Sequence, residues 1–489
     1  MAEKKARFPG WVGPAYESRV KRFDAQRLVN YYIEIDETGA GKGGEPAVLI
    51  STPGLKYLQT IGTGPIRQVY TVSNQQTSYV VSGNKVFQIS GALGIPVEIS
   101  GTLSTSTGPV EIADNGIQAL IVDGLNGYYI TIGTTTLNTI TDPNFYPADT
   151  VTFQDGYFIL NQTGTPFYFI SDLYSIDFPP LNQAAKSGNS DILKAVISNN
   201  RQLYLLGAST TEIWYNAGQS GTTPFQRQDG RFSQVGCAAP NSIAKLSETF
   251  FWLGTNQQGG GVVYMLENAM PVRVSTHAIE YIIQQYTDLS GATGYAYQQE
   301  GHYFYCLNIP GSNTTLVYDM SVKQWHERQT TINGIQGRNI GECHCVLNNQ
   351  HIIGDYSNGN IYQLDLETYT DNGNPCYRIR QTPHVSNNLN RLFYKLFECD
   401  FQFGTGLVND GVNTQNNVNP RIVLEISNDG GQTFSNPIYA SLGQIGRWYT
   451  RARWQRLGSS RDRVFRVTVT DPVKVQLLSA YLDVEIGLA

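Results

Sequence analysis

Charge is scarce in this chain of 489 residues, since Asp, Glu, Lys and Arg together make up only 15% of it. Typical soluble domains carry about a quarter. The net charge of −6 excludes a protein that binds nucleic acid through bulk positive charge. No apolar run approaches the roughly 18 residues of a membrane span, and the first residues lack the apolar core of a secretion signal. We therefore expect a soluble protein without a membrane span.

Cysteine and histidine are also few, with six of each. Six cysteines in this length form no dense disulfide framework, so we expect reduced thiols. Their one cluster is Cys343, His344 and Cys345, whereas a structural zinc ion usually takes four ligands. The pattern favours two buried thiols that flank an exposed histidine on a strand. We expect neither a metal ion nor a cofactor.

Glycine and tyrosine are abundant instead, with 49 and 30 residues. Stretches rich in aromatic and β-branched residues recur, and each is cut by Gly, Asn or Asp, which predicts strand–turn–strand units. These stretches begin at residues 78, 118, 156, 202, 249, 302 and 351. A period of roughly 40–50 residues is typical of four-stranded propeller blades. One helix is predicted, at Thr276–Thr287, from the helical spacing of its isoleucines.

The repeats predict an all-β protein with a β-propeller over residues 46–375. Radially packed blades bury each other's faces, which a lone hairpin cannot do. The number of blades stays open between six and seven, because the strand near Ala47–Ser51 is a candidate to complete the first hairpin. We interpret Tyr318–Trp325 as part of one blade, with Trp325 and the neighbouring His326 in structural positions rather than in an active site.

Beyond Cys376 the repeats stop and longer alternating strands follow. They lie at Arg391–Phe403, Arg421–Ser427, Arg463–Thr470 and Val475–Ile486. This pattern predicts a C-terminal antiparallel β-sandwich over residues 376–489. Residues 1–45 remain as an N-terminal basic arm and lead-in.

The sharpest local motif is "SNDGGQTF" (Ser427–Phe434), which fits the pattern called the Asp box. We expect Asp429 to accept hydrogen bonds from turn amides, Gly431 to take a conformation that a Cβ opposes, and Phe434 to pack underneath. Sialidases carry several such boxes on a propeller. Here one box lies outside the propeller region, and the motif is structural even in sialidases.

No catalytic residue is predicted, because the chain has no recognisable arginine triad, nucleophile motif, metalloprotease motif or phosphate loop. The chain is therefore predicted not to be an enzyme. A sialidase-like glycosidase built on a propeller and a receptor-binding tail protein are the alternatives.

Positive charge is concentrated in two stretches, the first 22 residues and residues 447–466, which hold seven arginines. The candidate interface residues are Lys4, Lys5, Arg7, Arg447, Arg451, Arg453 and Arg456. Alternation along a strand points neighbouring side chains to opposite faces. A solvated, salt-bridged edge strand is thus the alternative to an interface.

Several motifs occur in an order that resembles one family. "RLVNYYIEID" (Arg27–Asp36) is similar to its opening Asn-x-Tyr-x-Glu element, and "STPGLKYL" (Ser51–Leu58) to its Pro-Gly turn. "LLGASTTEIWYNAG" (Leu205–Gly218) is similar to its Gly-x-Ser-Thr strand, where Glu212 and Trp214 look exposed in a hairpin. "MPVRVSTHAIEYIIQQYT", "TTLVYDMSVKQW" and "WQRLGSSRDRVFRV" follow in the expected order.

On these motifs, residues 24–487 resemble the tail hub or nozzle proteins of short-tailed bacteriophages, also called packaged-DNA stabilisation proteins. Residues 1–23 fall outside the resemblance. It implies a structural virion protein that forms a six-fold ring below the portal and its adaptor, extends the DNA-exit channel and helps to retain packaged DNA. The implied location is the virion tail, after assembly in the host cytoplasm.

The implied partners are copies of the same chain, a head-to-tail adaptor protein, a tail fibre or tailspike, and a tail needle or plug. DNA is expected to pass through the lumen without specific binding, because a mildly acidic wall does not grip phosphate. In such an assembly the basic candidate residues would meet acidic patches on a neighbour or on the adaptor.

Overall fold

The computed structural model describes residues 5–38, 47–74, 76–91, 94–219, 223–256, 259–402, 419–444, 446–447 and 449–487. Almost every described element is a β-strand. The one α-helix among these residues is His277–Ile283, and a 3₁₀ turn lies at Pro240–Ser242. No helix in these ranges is long and apolar enough to cross a membrane. The expected all-β class is confirmed.

The first four blades of the propeller are sheets of four antiparallel strands that follow one another along the chain. Blade one consists of Ile66–Thr71, Thr77–Ser82, Lys85–Ser90 and Val97–Glu98. Blade two consists of Glu111–Asp114, Gln118–Val122, Gly127–Thr131 and Asn138–Thr139. Blade three consists of Val151–Gln154, Tyr157–Asn161, Phe167–Ile170 and Gln183–Ala185. Blade four consists of Leu193–Asn199, Gln202–Gly207, Thr211–Asn216 and Phe225–Ser233.

The remaining three blades take additional short strands. Blade five consists of Ala244–Leu246, Thr249–Asn256, Gly259–Glu267 and Met270–Arg273, with Gly236–Cys237 beside its second strand. Blade six consists of Thr293–Gln299, His302–Asn308, Thr315–Asp319 and Gln324–Ile332, with Ile335–Arg338 on the last. Blade seven consists of Gly341–Leu347, Gln350–Asp355, Asn360–Asp365 and Gly54–Thr60, with Thr370–Asp371 and Asn374–Pro375 at its outer edge.

Blade seven closes the ring, because its fourth strand comes from the beginning of the chain. Gly54–Thr60 pairs antiparallel with Asn360–Asp365. In the described part of the chain this gives seven blades, and seven hydrophobic clusters fill the gaps between successive blades. Ala47–Ser51, the candidate to complete the first hairpin, does not belong to the propeller, because that strand pairs with Tyr31–Ile35 in the sandwich.

The aromatic residues of the repeats lie between blades, as the sequence predicts. Trp325 is buried in the cluster between blades five and six, and its indole Nε1 donates to the carbonyl of Val274 at 2.8 Å. The predicted helix is present, and the Thr276 side chain accepts a hydrogen bond from the amide of Ile279 at its N-terminus. The expected exposure of Glu212 and Trp214 is wrong. Both are buried, and the indole of Trp214 donates to the Glu212 carboxylate at 2.9 Å.

The C-terminal strands form two sheets that enclose one core. The first sheet contains Tyr31–Ile35, Ala47–Ser51, Gln476–Ile486, Leu392–Gln402 and Ala452–Gln455, with Ala6–Arg7 and Ser459–Ser460 as short additions. The second contains Ala25–Val29, Arg378–Gln381, Asp462–Val469, Arg421–Ser427 and Ile438–Ser441, with Tyr16–Glu17 and Val385–Ser386 as short additions. The predicted sandwich is thus present, with strands from both ends of the chain.

The described part of the expected N-terminal arm is integrated into this sandwich rather than separate from it. Ala6–Arg7 pairs with the last long strand, and Phe8 packs edge-on against Phe397 and Phe465 with ring centroids 6.1 Å apart. The fully buried guanidinium of Arg380 donates to backbone carbonyls of this segment. Apolar and aromatic residues between the basic ones explain the difference, because they belong to the sandwich core.

One β-sheet joins the propeller to the sandwich. Val29 pairs in parallel with Glu327 on the outer strand of blade six, while the other edge of Ala25–Val29 pairs with Arg378–Gln381. Arg27 reinforces the junction through a bidentate ion pair with Glu327, at 3.0 and 2.6 Å. The two domains therefore share a continuous hydrogen-bonded sheet, the seam, rather than a flexible linker.

Asn30 lies at the centre of this seam and is 3% exposed. Its Nδ2 donates to the carbonyls of Gln329 and Tyr377, both at 2.9 Å, and its Oδ1 accepts from the Gln329 amide at 3.0 Å. Its φ of +54° turns the chain from one sheet into the other. Asparagine tolerates this left-handed conformation better than most residues.

We expect Asn30→Ala to lower the free energy of unfolding by about 3 kcal/mol, because three hydrogen bonds to buried backbone groups are lost. The matched control is Asn268→Ala, since Asn268 is exposed and has a similar φ of +50°. Denaturant melts of both variants measure the difference. Equal losses in the two variants would show that backbone conformation alone, and not the seam, sets the effect.

Candidate assembly surface on the sandwich

Three of the predicted basic residues converge on one carboxylate. Lys5 Nζ lies 2.7 Å from Glu398, Arg451 Nη1 lies 2.9 Å from it and Arg453 Nε lies 3.2 Å from it. The Glu398 side chain is only 2% exposed, whereas Arg451 and Arg453 are about half exposed, at 53% and 48%. The cluster thus has a buried anion beneath a positively charged surface.

Strand register brings this basic cluster together. Glu398 lies opposite Arg453 on one side and opposite Tyr481 on the other, and Arg7 also pairs with Tyr481. Lys5 therefore reaches Glu398 across the intervening strand. Burial raises the pKa of Glu398, but the hydrogen bond and charge of Lys5, with the charges of the two arginines, lower it overall.

The other candidate basic residues occupy different positions. Arg7 and Arg447 are exposed, and Arg456 is exposed at the turn after strand Ala452–Gln455, with a φ of +59°. Lys4 lies outside the described residues. Of the candidate set, Lys5, Arg451 and Arg453 therefore share one carboxylate, and the exposed members that the structure describes belong to the sandwich.

Two further arginines of the 447–466 stretch have internal roles. The Arg463 guanidinium lies 4.0 Å from the centroid of the Tyr394 ring and donates to the Leu457 carbonyl at 2.7 Å. The Arg466 guanidinium lies 3.4 Å above the ring of Phe434. In both residues, aromatic rings and carbonyl oxygens take the place of some of the water molecules around the guanidinium group. The stretch thus contains both exposed arginines and arginines packed on aromatic rings.

The Asp-box turn caps the strand Arg421–Ser427. The Asp429 carboxylate accepts hydrogen bonds from the amides of Gln432 and Thr433 and from the hydroxyls of Ser427 and Thr433. These bonds, led by that of the Ser427 hydroxyl, lower the pKa of Asp429. Gly431 has a φ of +85°, and a Cβ there would lie 2.9 Å from the Cβ of Ala25. Phe434 is half-buried beneath Arg466.

The Cys-His-Cys stretch differs from expectation in one respect. Cys343 and Cys345 are buried, but His344 is half-buried rather than exposed, because its ring packs against Tyr295 and Tyr297. Burial, with the nearby His351, lowers the pKa of His344 to about 3. Within the described ranges no three His, Cys, Asp or Glu side chains are arranged to hold a metal ion.

Sequence reasoning missed Glu398 and Asn30, which organise the basic cluster and the seam. A signal for Glu398 was present, since it lies between Phe397 and Cys399 in a strand rich in apolar residues. For such a position burial is costly unless a cation pairs with it. One of the paired cations, Lys5, is 393 residues away from Glu398 along the chain, so local sequence does not reveal it.

The fold and this surface define a protein composed of a β-propeller and a β-sandwich that are joined by one sheet. The family model described as bacteriophage P22 Gp10, beta-propeller, matches residues 7–369, and that described as bacteriophage P22 Gp10, beta-sandwich, matches residues 377–485. The chain therefore belongs to the bacteriophage P22 Gp10 family. The match begins at residue 7, so the expectation that residues 1–23 fall outside the family is wrong for most of them.

A curated relative is the tail hub protein gp10 of Salmonella phage P22. It is 24% identical over 356 residues, which cover 69% of this chain and 70% of the relative. Among solved structures, the computationally designed Ika8 protein aligns with a TM-score of 0.37 and 12% identity, over 64% of this chain and 99% of that one. The N-terminal domain of Nup159 aligns with a TM-score of 0.39 and 11% identity, over 70% and 99%. Nothing further follows from such distant likenesses.

We expect Glu398→Gln to lower the free energy of unfolding by about 2 kcal/mol at pH 7, because charge-assisted hydrogen bonds are lost. The pKa of Glu398 is lowered in the folded chain, so its contribution is present above the ordinary value of 4.5 and disappears as the pH falls through the lowered pKa. Melts from pH 7 to pH 3 should therefore show the two proteins converging in acid. A constant difference would contradict the ion pairs. The control is Glu485→Gln, which changes an exposed glutamate on the neighbouring strand.

We expect Gly431→Ala to destabilise the sandwich by about 1–3 kcal/mol more than Gly334→Ala, because the added Cβ collides with Ala25. Gly334 has a similar φ of +80° and no atom within 4 Å of its ideal Cβ position, so it isolates the backbone effect. Thermal melts of both variants provide the measurement. If the two variants melt together, the Asp-box turn is not packed against the N-terminal strand.

Proposed function

We propose that this chain is a structural tail hub protein of a bacteriophage virion and that it is not an enzyme. The observation that carries this proposal is the family match, which extends over both domains in the order found here. The tail hub name of the curated relative supplies the role. The virion tail is the proposed location, after assembly in the host cytoplasm.

We further propose that copies of the chain close into a ring, a homohexamer, below the portal and its adaptor. A closed ring of identical subunits needs two different complementary faces on each subunit. The exposed cations above Glu398 offer one basic face to an acidic patch on a neighbour or on the adaptor. The seam supports the same role, since a wall segment under internal pressure benefits from two domains that do not hinge.

The ring would extend the DNA-exit channel, help to retain packaged DNA and anchor tail fibres or tailspikes, with a needle or plug at its far end. Passage of DNA without specific binding agrees with the net charge of −6. Phosphate contacts by Lys and Arg dominate protein–DNA affinity, and a chain of net negative charge offers little grip.

The glycosidase alternative is weakened by the positions of the relevant groups. The Asp box forms a turn of the sandwich, and Asp429 is occupied with hydrogen bonds inside that turn. In blade six, His302 is buried and hydrogen-bonded to Asp319. Burial lowers the pKa of His326, on the same blade, to about 3. Both histidines are buried inside blade six.

The test is the mass of the purified protein, alone and with the adaptor, by mass photometry and negative-stain microscopy. We expect a ring with six times the mass of the chain, and we expect antibody fragments against the sandwich to label virion tails. A protein that stays monomeric in both conditions, or turnover of a fluorogenic glycoside that is lost on changing one side chain, would contradict the proposal.

A further inference from the structure

A basic loop with exposed apolar residues lies between strands Tyr16–Glu17 and Ala25–Val29. It consists of Arg19, Val20, Lys21, Arg22 and Phe23. Val20 is 60% exposed and Phe23 is 75% exposed. In the part of the chain that the structure describes, neither Arg19 nor Arg22 has a carboxylate partner, whereas Lys21 pairs with Glu17 at 2.6 Å.

The basic loop is held in a defined shape. The Phe23 amide donates to the carbonyl of Val20 at 2.8 Å. His384 Nε2 donates to the carbonyl of Lys21, also at 2.8 Å, and the other ring nitrogen contacts Asp462. The aliphatic part of Arg22 lies against Gly430 in the Asp-box turn. A preformed loop loses little conformational entropy when it binds, which favours association.

An acidic recess lies elsewhere on the same chain. It is a cavity of about 280 Å³ where blades six and seven meet the sandwich. Its rim carries Glu34, Glu300 and Glu367, and its cations are limited to Lys474, which lies 3.7 Å from Glu367. Among the described residues, Glu34 and Glu300 have no cationic partner. Its floor is formed by Tyr32, Ile50, Leu366 and Tyr369.

The recess carries a negative potential over an apolar floor. Tyr32, at the bottom, is 4% exposed, and its pKa is raised first by burial and then by the charges of Glu34 and Glu300. An aromatic side chain next to exposed cations complements such a site, because the ring covers the apolar floor while the cations meet the carboxylates.

The loop and the recess lie on different flanks of the seam. The strand Tyr16–Glu17 before the loop contacts helix His277–Ile283, next to blade five. The recess is bounded by the Glu300 turn of blade six and by the residues that follow blade seven. Because His384 and Gly430 anchor the loop, a chain does not fill its own recess.

We propose that the basic loop of one copy docks into the acidic recess of the next copy, with Phe23 against Tyr32 and with Arg19 and Arg22 beside Glu34 and Glu300. This inference rests on the proposed ring, and it specifies a contact that closes it. The occupant is a second copy because the two complementary surfaces occur once each on the same chain. One loop face and one recess face per subunit give the head-to-tail contact that a cyclic ring requires.

The decisive experiment uses two charge-reversed variants of the full chain. Arg19→Glu/Arg22→Glu reverses the loop, and Glu34→Arg/Glu300→Arg reverses the recess. We expect each variant alone to lose ring assembly by at least about tenfold in affinity, since buried interfacial charge pairs become repulsive. Mixed in equal amounts, they should assemble, because subunits of the two kinds alternate around an even-numbered ring and every contact is again between opposite charges.

Two further variants separate docking from folding. Arg227→Glu/Arg231→Glu reverses two exposed arginines on blade four and should assemble like the wild type. Phe23→Ala keeps the charges and should weaken assembly at unchanged melting midpoint, because Phe23 is exposed in the single chain. The wild-type ring should also weaken as salt is raised, through screening of the contact.

The outcomes distinguish this inference from the proposed function. If the wild type forms no ring with or without the adaptor, the proposed function fails. If the wild type forms rings and Arg19→Glu/Arg22→Glu forms them equally well, only the inference is overturned. Intact rings that no longer bind the adaptor would show that the loop binds the adaptor and not a second copy. Failure of the two variants to assemble when mixed would show that the loop does not bind the recess.

Discussion

The architecture depends on hydrogen bonds that carry one sheet from the propeller into the sandwich. The strand Ala25–Val29 is inserted between the outer strand of blade six and Arg378–Gln381. Where the chain leaves this sheet, the Asn30 side chain donates hydrogen bonds to the backbone carbonyls of Gln329 and Tyr377. Without this strand both neighbours would present unpaired edges to each other. The seam therefore determines how the two domains are oriented, and it places the loop and the recess on fixed flanks of one body.

Local patterns in the sequence were sufficient to predict most of the propeller. Alternating aromatic and β-branched residues with turn residues between them specify each hairpin, and their period specifies a blade. The closing strand Gly54–Thr60 was not predictable in this way, because its partner Asn360–Asp365 lies some three hundred positions later along the chain. An exposed blade edge can pair with a strand from a neighbouring or from a distant part of the sequence. The N-terminal segment was misjudged for the same reason, since its basic residues are local and its sandwich partners are not.

The surface was predictable only in part. Arg451 and Arg453 are about half exposed, but Arg463 and Arg466, which lie on opposite faces of their own strand, both stack on aromatic rings. Sequence composition counts these four arginines equally. Their separation follows from strand register, which depends on tertiary pairing and not on the identity of neighbouring residues.

Scarce charge makes the unpaired charges of this chain informative. Buried charged groups find polar partners, as Glu327 does in Arg27, Lys186 in Asp191 and Arg380 in backbone carbonyls, because an unsatisfied ion in the interior costs several kcal/mol. Evenly spread surface charge would conceal a functional patch, but a polar surface rich in Asn, Gln, Thr and Tyr does not. Among the described residues, Arg19 and Arg22 of the loop and Glu34 and Glu300 of the recess have no ion-pair partner, whereas Lys21 and Glu367 do. That asymmetry favours a subunit whose electrostatic complement is supplied by assembly.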